Sequence, residues 1–178
     1  MTPPLPVPRI LQGDAEVLER RARELASGSA ARGEDAVGLV RLVAFRLRGQ
    51  RCAVDSAVVA RAVVLAAPLA IPIADGSERP VAFVEERPVP VADLAGFAAG
   101  GARAAAALAG APALLVETAD GPVAVAVEGP LELAEDRIGA AAAPGAEEVP
   151  RLAGRLAGGA DLVDAPWLAA WAAKVVRP

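Results

Sequence analysis

Carboxylates that pair locally, at Glu85-Glu86, Glu135-Asp136 and Glu147-Glu148, are the residue types best suited to chemistry in this chain. Two carboxylates run acid–base chemistry when a pocket holds them with divergent pKa values. Each pair here falls in a predicted turn or loop with arginine close by, which reads as solvated turn charge. The chain has no histidine. That removes Ser-His and Cys-His catalysis, the common zinc centres and an imidazole switch near neutral pH. The single cysteine, Cys52, follows Arg51 in a predicted strand. A neighbouring cation can lower a thiol pKa, but a lone strand cysteine is more commonly a small buried hydrophobe. Gly96, Gly100 and Gly101 do not follow a strand and open a helix at phosphate-loop spacing. The residue types therefore indicate no enzyme, no cofactor and no metal site.

Composition narrows the class further. The 178 residues suit one domain or two small lobes. Hydrophobic residues make up 54% of the chain, but much of that is alanine, which yields little burial energy per side chain. The net charge of −4 and the lack of a Lys/Arg cluster interleaved with aromatics argue against a nucleic-acid partner. The first residues carry no apolar core behind a basic start, so no secretory signal is expected. No apolar run reaches ~20 residues, so no membrane insertion is expected. One cysteine excludes an internal disulfide and fits a reducing cytoplasm.

The elements that would position these residues read as follows. A Pro-rich start (residues 1–8) precedes an amphipathic helix with Asp14 as N-cap and Ser27-Gly28 as stop. Leu11, Leu18 and Leu25 form its stripe, and Glu16 can pair with Arg20 and Glu19 with Arg23. Such a helix either docks on a partner or lies on its own domain. Residues 28–38 read as a linker, so residues 1–38 form a tail and residues 39–174 the folded domain. There, Val43, Phe45 and Leu47 alternate with Ala44, Arg46 and Arg48, the period of a half-buried strand. Gly49-Gln50 is the expected turn, and residues 51–54 return as a strand. Asp55-Ser56 caps a short helical turn before the β-branched run 58–65, which Pro68 and Pro72 break.

Residues 81–84 and 89–94 are predicted to pair around the charged turn Glu85-Glu86-Arg87. Pro88 and Pro90 place the second of these strands at an edge or a bulge. Residues 96–113 read as an Ala/Gly-rich loop with a helical piece. Asp120-Gly121 marks a primed hairpin turn, followed by alternating Val123, Val125 and Val127. Gly129-Pro130 kinks the chain before Leu131 and Leu133, and residues 140–159 carry little signal. Leu162-Val163 reads as a strand, and Asp164 starts a last helix with Trp167 and Trp171 on one face. That pair either packs on the domain or forms a dimer contact. Six to eight short strands with hairpin turns argue for a β-rich barrel or sandwich.

In this order the segments resemble CheW-type domains. Residues 42–54 are similar to the family's opening strand, Gly-containing turn and second strand. The run 58–65 is similar to its Val-Arg-Glu-Val stretch, with Arg61 at the arginine. Residues 87–94, Arg-Pro-Val-Pro-Val-Ala-Asp-Leu, are similar to its Arg-Val-Val-Pro-Val-Val-Asp-Leu strand. Residues 114–133 and 162–168 resemble its late hairpin and its closing Leu-Leu-Asp helix. The resemblance spans residues 39–171. It implies a mainly β fold of two small five-stranded barrels side by side, flanked by the N-terminal helix and a short C-terminal helix. It further implies a cytoplasmic, non-catalytic adaptor of bacterial chemosensory two-component signalling. Such an adaptor bridges the tip of a methyl-accepting chemoreceptor and the regulatory domain of a CheA-type histidine kinase.

One departure is conspicuous. Before the Pro-Val-Asp-Leu strand the family carries Asn-Leu-Arg-Gly, with the arginine tied to receptor contact. Here those positions are Phe83, Val84, Glu85 and Glu86, and Asp75-Gly76-Ser77-Glu78 replaces a Gly/Pro-rich approach. The resemblance thus points to Arg61, Glu85, Glu86 and Arg87 as candidate partner-binding residues, with the charge at residue 85 reversed. The rival expectation is a single ligand-binding or regulatory β-barrel of another signalling system.

Overall fold

The computed structural model describes residues 39–74, 76–141 and 150–177. The expected N-terminal helix and linker, and the Glu147-Glu148 pair, lie outside the described residues. The described chain is mainly β. Its strands are β1 (Leu39–Leu47), β2 (Gln50–Asp55), β3 (Val59–Val64), β4 (Leu69–Pro72), β5 (Glu78–Val84), β6 (Arg87–Asp93), β7 (Pro112–Thr118), β8 (Gly121–Ala126), β9 (Glu128–Ala141), β10 (Leu152–Leu156) and β11 (Asp161–Val163). Two α-helices accompany them, α1 (Leu94–Ala98) and α2 (Ala165–Val176), with 3₁₀ turns at Ser56–Val58 and Ala105–Leu108.

The strands form two lobes. In the first, the order β1-β2-β11-β10-β9 closes on itself because β1 pairs with both β2 and β9. The second is a six-stranded sheet in the order β3-β7-β8-β6-β5-β4. The expected pair of five-stranded barrels is therefore replaced by one closed circuit and one larger sheet, in which no ladder joins β3 to β4.

Period-2 alternation distributes the core. Leu42 and Ala44 of β1 pack with Ala53, Leu156, Ala160 and Leu162 inside the first lobe, where small side chains suit a narrow interior. The opposite face, Val43, Phe45 and Leu47, joins a larger cluster with Leu114, Val116, Val123 and Val125 of the second lobe. Leu168, Trp171, Ala172 and Val176 of α2 complete that cluster, with the helix packed on β6, β7 and β8 of the second lobe. Ala113, Ala124 and Ala126 turn the other way and meet Leu65, Val89, Val91 and Leu108. β1 and β8 are thus buried on both faces at their centres, where half-burial is the expectation for β1. Each fully buried Leu, Val or Phe contributes on the order of 1.5–3 kcal/mol, so the modest number of large side chains still supports a core.

Several local expectations shift. The first hairpin turn is Arg48-Gly49, one residue earlier than the glycine-first reading, since Leu47 pairs with Gln50. Both turn residues have positive φ, +53° and +78°. In the late hairpin Thr118 pairs with Gly121, so the turn is Ala119-Asp120, and the positive φ of +113° falls on Gly121. The proline-bearing strand β6 is interior, flanked by β5 and β8, rather than an edge. The two-residue turn makes Val84–Arg87 and Ala82–Val89 the hydrogen-bonded pairs. Pro88 and Pro90 take the alternate positions, opposite Phe83 and Val81, where no donor toward β5 is needed. Pairing with β8 begins only at Val91. The last helix forms as expected, with the Asp164 carboxylate accepting from the Trp167 amide at 3.0 Å. Trp171 is 8% exposed, stacks on Trp167 at 5.8 Å and meets Phe97 edge-on at 5.7 Å. Its place in the core makes it a packing residue rather than a dimer contact.

Candidate functional site

Two adjoining recesses, of about 420 and 240 Å³, share Ser56 and Leu133 and form a groove between β1–β9 and β3. The sequence builds it in steps. Asp55 ends β2 and its carboxylate accepts from the Ala57 amide at 2.8 Å, capping the 3₁₀ turn that hands the chain to β3 in the other lobe. β9 runs beside β1 with Leu133 opposite Val43. Leu131 and Leu133, two residues apart, project from the same face of β9 into this region. Leu133 is 86% exposed, a large apolar side chain left to solvent. Charges on the flanking strands are largely paired: Arg41 with Glu135 at 3.1 Å and Arg51 with Glu132 at 3.5 Å. An apolar groove with an exposed leucine at its rim and charge-paired walls is suited to docking of a partner surface.

Arg61 of β3 lines one recess and donates to the Glu85 carboxylate. β3 and the β5–β6 turn are not neighbours in the sheet order, so this ion pair spans the face of the second lobe. Both groups are more than half exposed, which limits the contribution of the pair to stability. Of the four candidate residues, Arg61 and Glu85 are brought together. Glu86 is the other central residue of the turn, and Arg87 opens β6 opposite Val84. The groove residues Ser56, Leu131 and Leu133 were not among the sequence candidates, although the i,i+2 leucines after Gly129-Pro130 carried the signal.

The Glu85-Glu86 turn is backbone-strained. Both residues have positive φ, +49° and +64°, as a two-residue hairpin turn requires. A left-handed conformation costs a non-glycine residue roughly 1–2 kcal/mol. Glu86→Gly is therefore expected to stabilise the fold by about 1 kcal/mol, after the greater unfolded-state freedom of glycine is subtracted. Urea unfolding measures this, and an unchanged or lowered midpoint would contradict it.

Other chemically capable groups are committed to structure. Burial pushes the Cys52 thiol up to about 11, aided by the nearby Asp161 and Glu128 charges, so it is protonated and unreactive at neutral pH. Asp93, with 1% of its side chain exposed, ends β6 and caps α1 through the Gly96 amide at 3.0 Å. Its other donors are the Arg103 amide at 2.7 Å and the Arg103 side chain, with Nη2 at 2.6 Å. A side chain at Gly96 would collide with the Asp93 carboxylate, which explains the glycine two residues after Leu94. Burial alone would raise the Asp93 carboxyl. The Arg103 hydrogen bonds and charge, with the two amides, outweigh it and hold the group below the usual carboxylate range. Among the described residues, no group of three His, Cys, Asp or Glu could hold a metal ion, and no helix is long and apolar enough to cross a membrane.

The described fold has a solved counterpart. It is similar to the crystal structure of the scaffolding protein TtCheW from Thermoanaerobacter tengcongensis, with a TM-score of 0.50 and 14% identity. The match covers 70% of this chain and 88% of that one. At this identity the likeness establishes a CheW-like fold. No protein-family model matches the chain, and no curated protein is similar to it in sequence.

Proposed function

We propose that this chain is a non-catalytic, cytoplasmic adaptor of a chemosensory two-component system. In this reading it couples a chemoreceptor tip to the regulatory domain of a CheA-type histidine kinase. The observation that carries the reading is the apolar groove between the lobes of a CheW-like fold, with exposed Leu133 at its rim and Arg61 along its wall. A groove of this kind suits the apolar face of an amphipathic helix, and a receptor tip is a helical bundle. The solved neighbour is itself a scaffolding protein, which supports the same reading.

Within this proposal Glu85 acts through Arg61. The carboxylate occupies the guanidinium at the groove wall and cancels a cation that would otherwise face the partner. Glu85→Arg removes that cancellation and adds a second cation. If the receptor tip presents the acidic pattern that an arginine at this position would meet, affinity for a receptor-tip helical peptide rises by about tenfold, most of it in the association rate at low salt. Pull-down of the purified kinase regulatory domain and of a receptor cytoplasmic fragment tests the adaptor role itself. Binding to neither would overturn it, and unchanged affinity in Glu85→Arg would place that residue outside the interface.

A further inference from the structure

A separate recess of about 550 Å³ lies among β5, β6, the segment after α1 and the end of α2. Arg79, Arg103 and Arg177 all line it, in a chain whose net charge is −4. Among the described residues, two carboxylates, Asp93 and Glu78, line it with them. Asp93 is saturated by Arg103 and two backbone amides. Arg177 directs its Nε to Asp120, at 2.8 Å, while its carbonyl accepts from Arg79 Nη2 at 2.7 Å. Arg79 is thus half-buried and oriented by a backbone carbonyl, yet has no carboxylate partner among the described residues. A partly desolvated cation without a counter-ion is unfavourable, and a bound anion would relieve it.

The shape of the recess says what kind of anion fits. Guanidinium groups present paired N–H donors that match phosphate oxygens two at a time. Ile73, Pro80 and Val175 supply an apolar side against which an uncharged body can rest. The volume lies within the range of about 300–1,000 Å³ usual for small-molecule sites. We propose that this recess binds a phosphorylated small molecule of mononucleotide size, with the phosphate on Arg79 and Arg177 and the body against the apolar side. Arg103 and Asp93 form a neutral pair at the rear. The site is distinct from the Leu133 groove and makes no demand on the adaptor role.

Isothermal titration calorimetry of the full chain at low salt, with AMP, adenosine and inorganic phosphate as probes, tests this. AMP is expected to bind with a Kd of about 1 mM or tighter, inorganic phosphate more weakly, and adenosine not measurably. Arg79→Gln and Arg177→Gln, each checked for an unchanged melting curve, should each weaken AMP by about tenfold, as loss of a charge-assisted contact predicts. Arg61→Ala, in the other groove, should leave AMP binding as it was. The proposal is overturned by the absence of AMP binding, by adenosine matching AMP, or by wild-type affinity in both Arg79→Gln and Arg177→Gln.

Discussion

Asp93→Ala is expected to lower the free energy of unfolding by about 3 kcal/mol, on the order of 10 °C in Tm for a domain of this size. The reason is the burial of the carboxylate. The side chain is 1% exposed at the junction of β6 and α1, and its removal strips Arg103 of its partner and frees two backbone amides. Breaking a buried pair from one side typically costs about 3–5 kcal/mol, and the partial exposure of Arg103 places this case at the lower end. Asp164 is the internal control. It caps α2 in the same way, but its side chain is 21% exposed and its partner Arg151 is 57% exposed. Asp164→Ala should therefore cost only about 1 kcal/mol, the ordinary value of an N-cap. Equal losses in the two variants would show that capping, and not the buried ion pair, is what Asp93 supplies.

The same residue sets an acid limit. The folded Asp93 carboxyl is held below its ordinary value, chiefly by Arg103 against the opposing effect of burial. The unfolded state therefore takes up a proton at higher pH than the folded state. The contribution is fully present above the unfolded-chain value of about 3.9 and is lost as pH falls through the lower, folded one. The stability gap between wild type and Asp93→Asn should be flat above roughly pH 5 and narrow below about pH 4.

Asp93 also illustrates what the sequence could and could not disclose. The strand ending Val91-Ala92-Asp93-Leu94 was legible from its alternation and its resemblance to a CheW-type segment. The clamp was not, because Arg103 lies ten residues on, beyond an Ala/Gly stretch without periodicity. Pairing across such a gap depends on how the loop folds back, which local pattern does not encode. β10 was missed for a related reason. Leu152 and Leu156 are its only large apolar residues, and it is held by close approach to β9, where a side chain at Gly139 would strike the Arg155 carbonyl. Pro68 and Pro72 end the run 58–65 but do not exclude β4 between them, since an edge strand tolerates proline at its end. The proline argument identified the wrong edge: β6 escapes the restriction because its two prolines share the register that needs no donor. Of the candidate site, Arg61 and Glu85 were named separately, and only the curvature of the second lobe brings them together. Leu133 was visible as a strand residue, but its exposure depends on how β9 sits against β3.

Under the proposed adaptor role, Leu133→Asp is expected to weaken binding of a receptor-tip helix by at least about 30-fold while leaving the fold intact. Leu133 is 86% exposed in the free protein, so its replacement should change stability by no more than about 0.5 kcal/mol. In a docked complex the same side chain would be covered, and burying a leucine contributes roughly 1.5–3 kcal/mol. An aspartate there forfeits that burial and adds the desolvation of a charge facing an apolar surface. A combined loss above 2 kcal/mol corresponds to the 30-fold figure and to the usual weight of a central interface residue. Leu69→Asp provides the comparison. Leu69 is 53% exposed on edge strand β4, away from the groove, and should leave helix binding unchanged. Fluorescence anisotropy with a labelled receptor-tip peptide reads both variants. Loss of binding in Leu69→Asp with retention in Leu133→Asp would move the proposed receptor contact from the groove to the β4 edge. Loss in Leu133→Asp alone would tie the apolar rim of the groove to the proposed adaptor function.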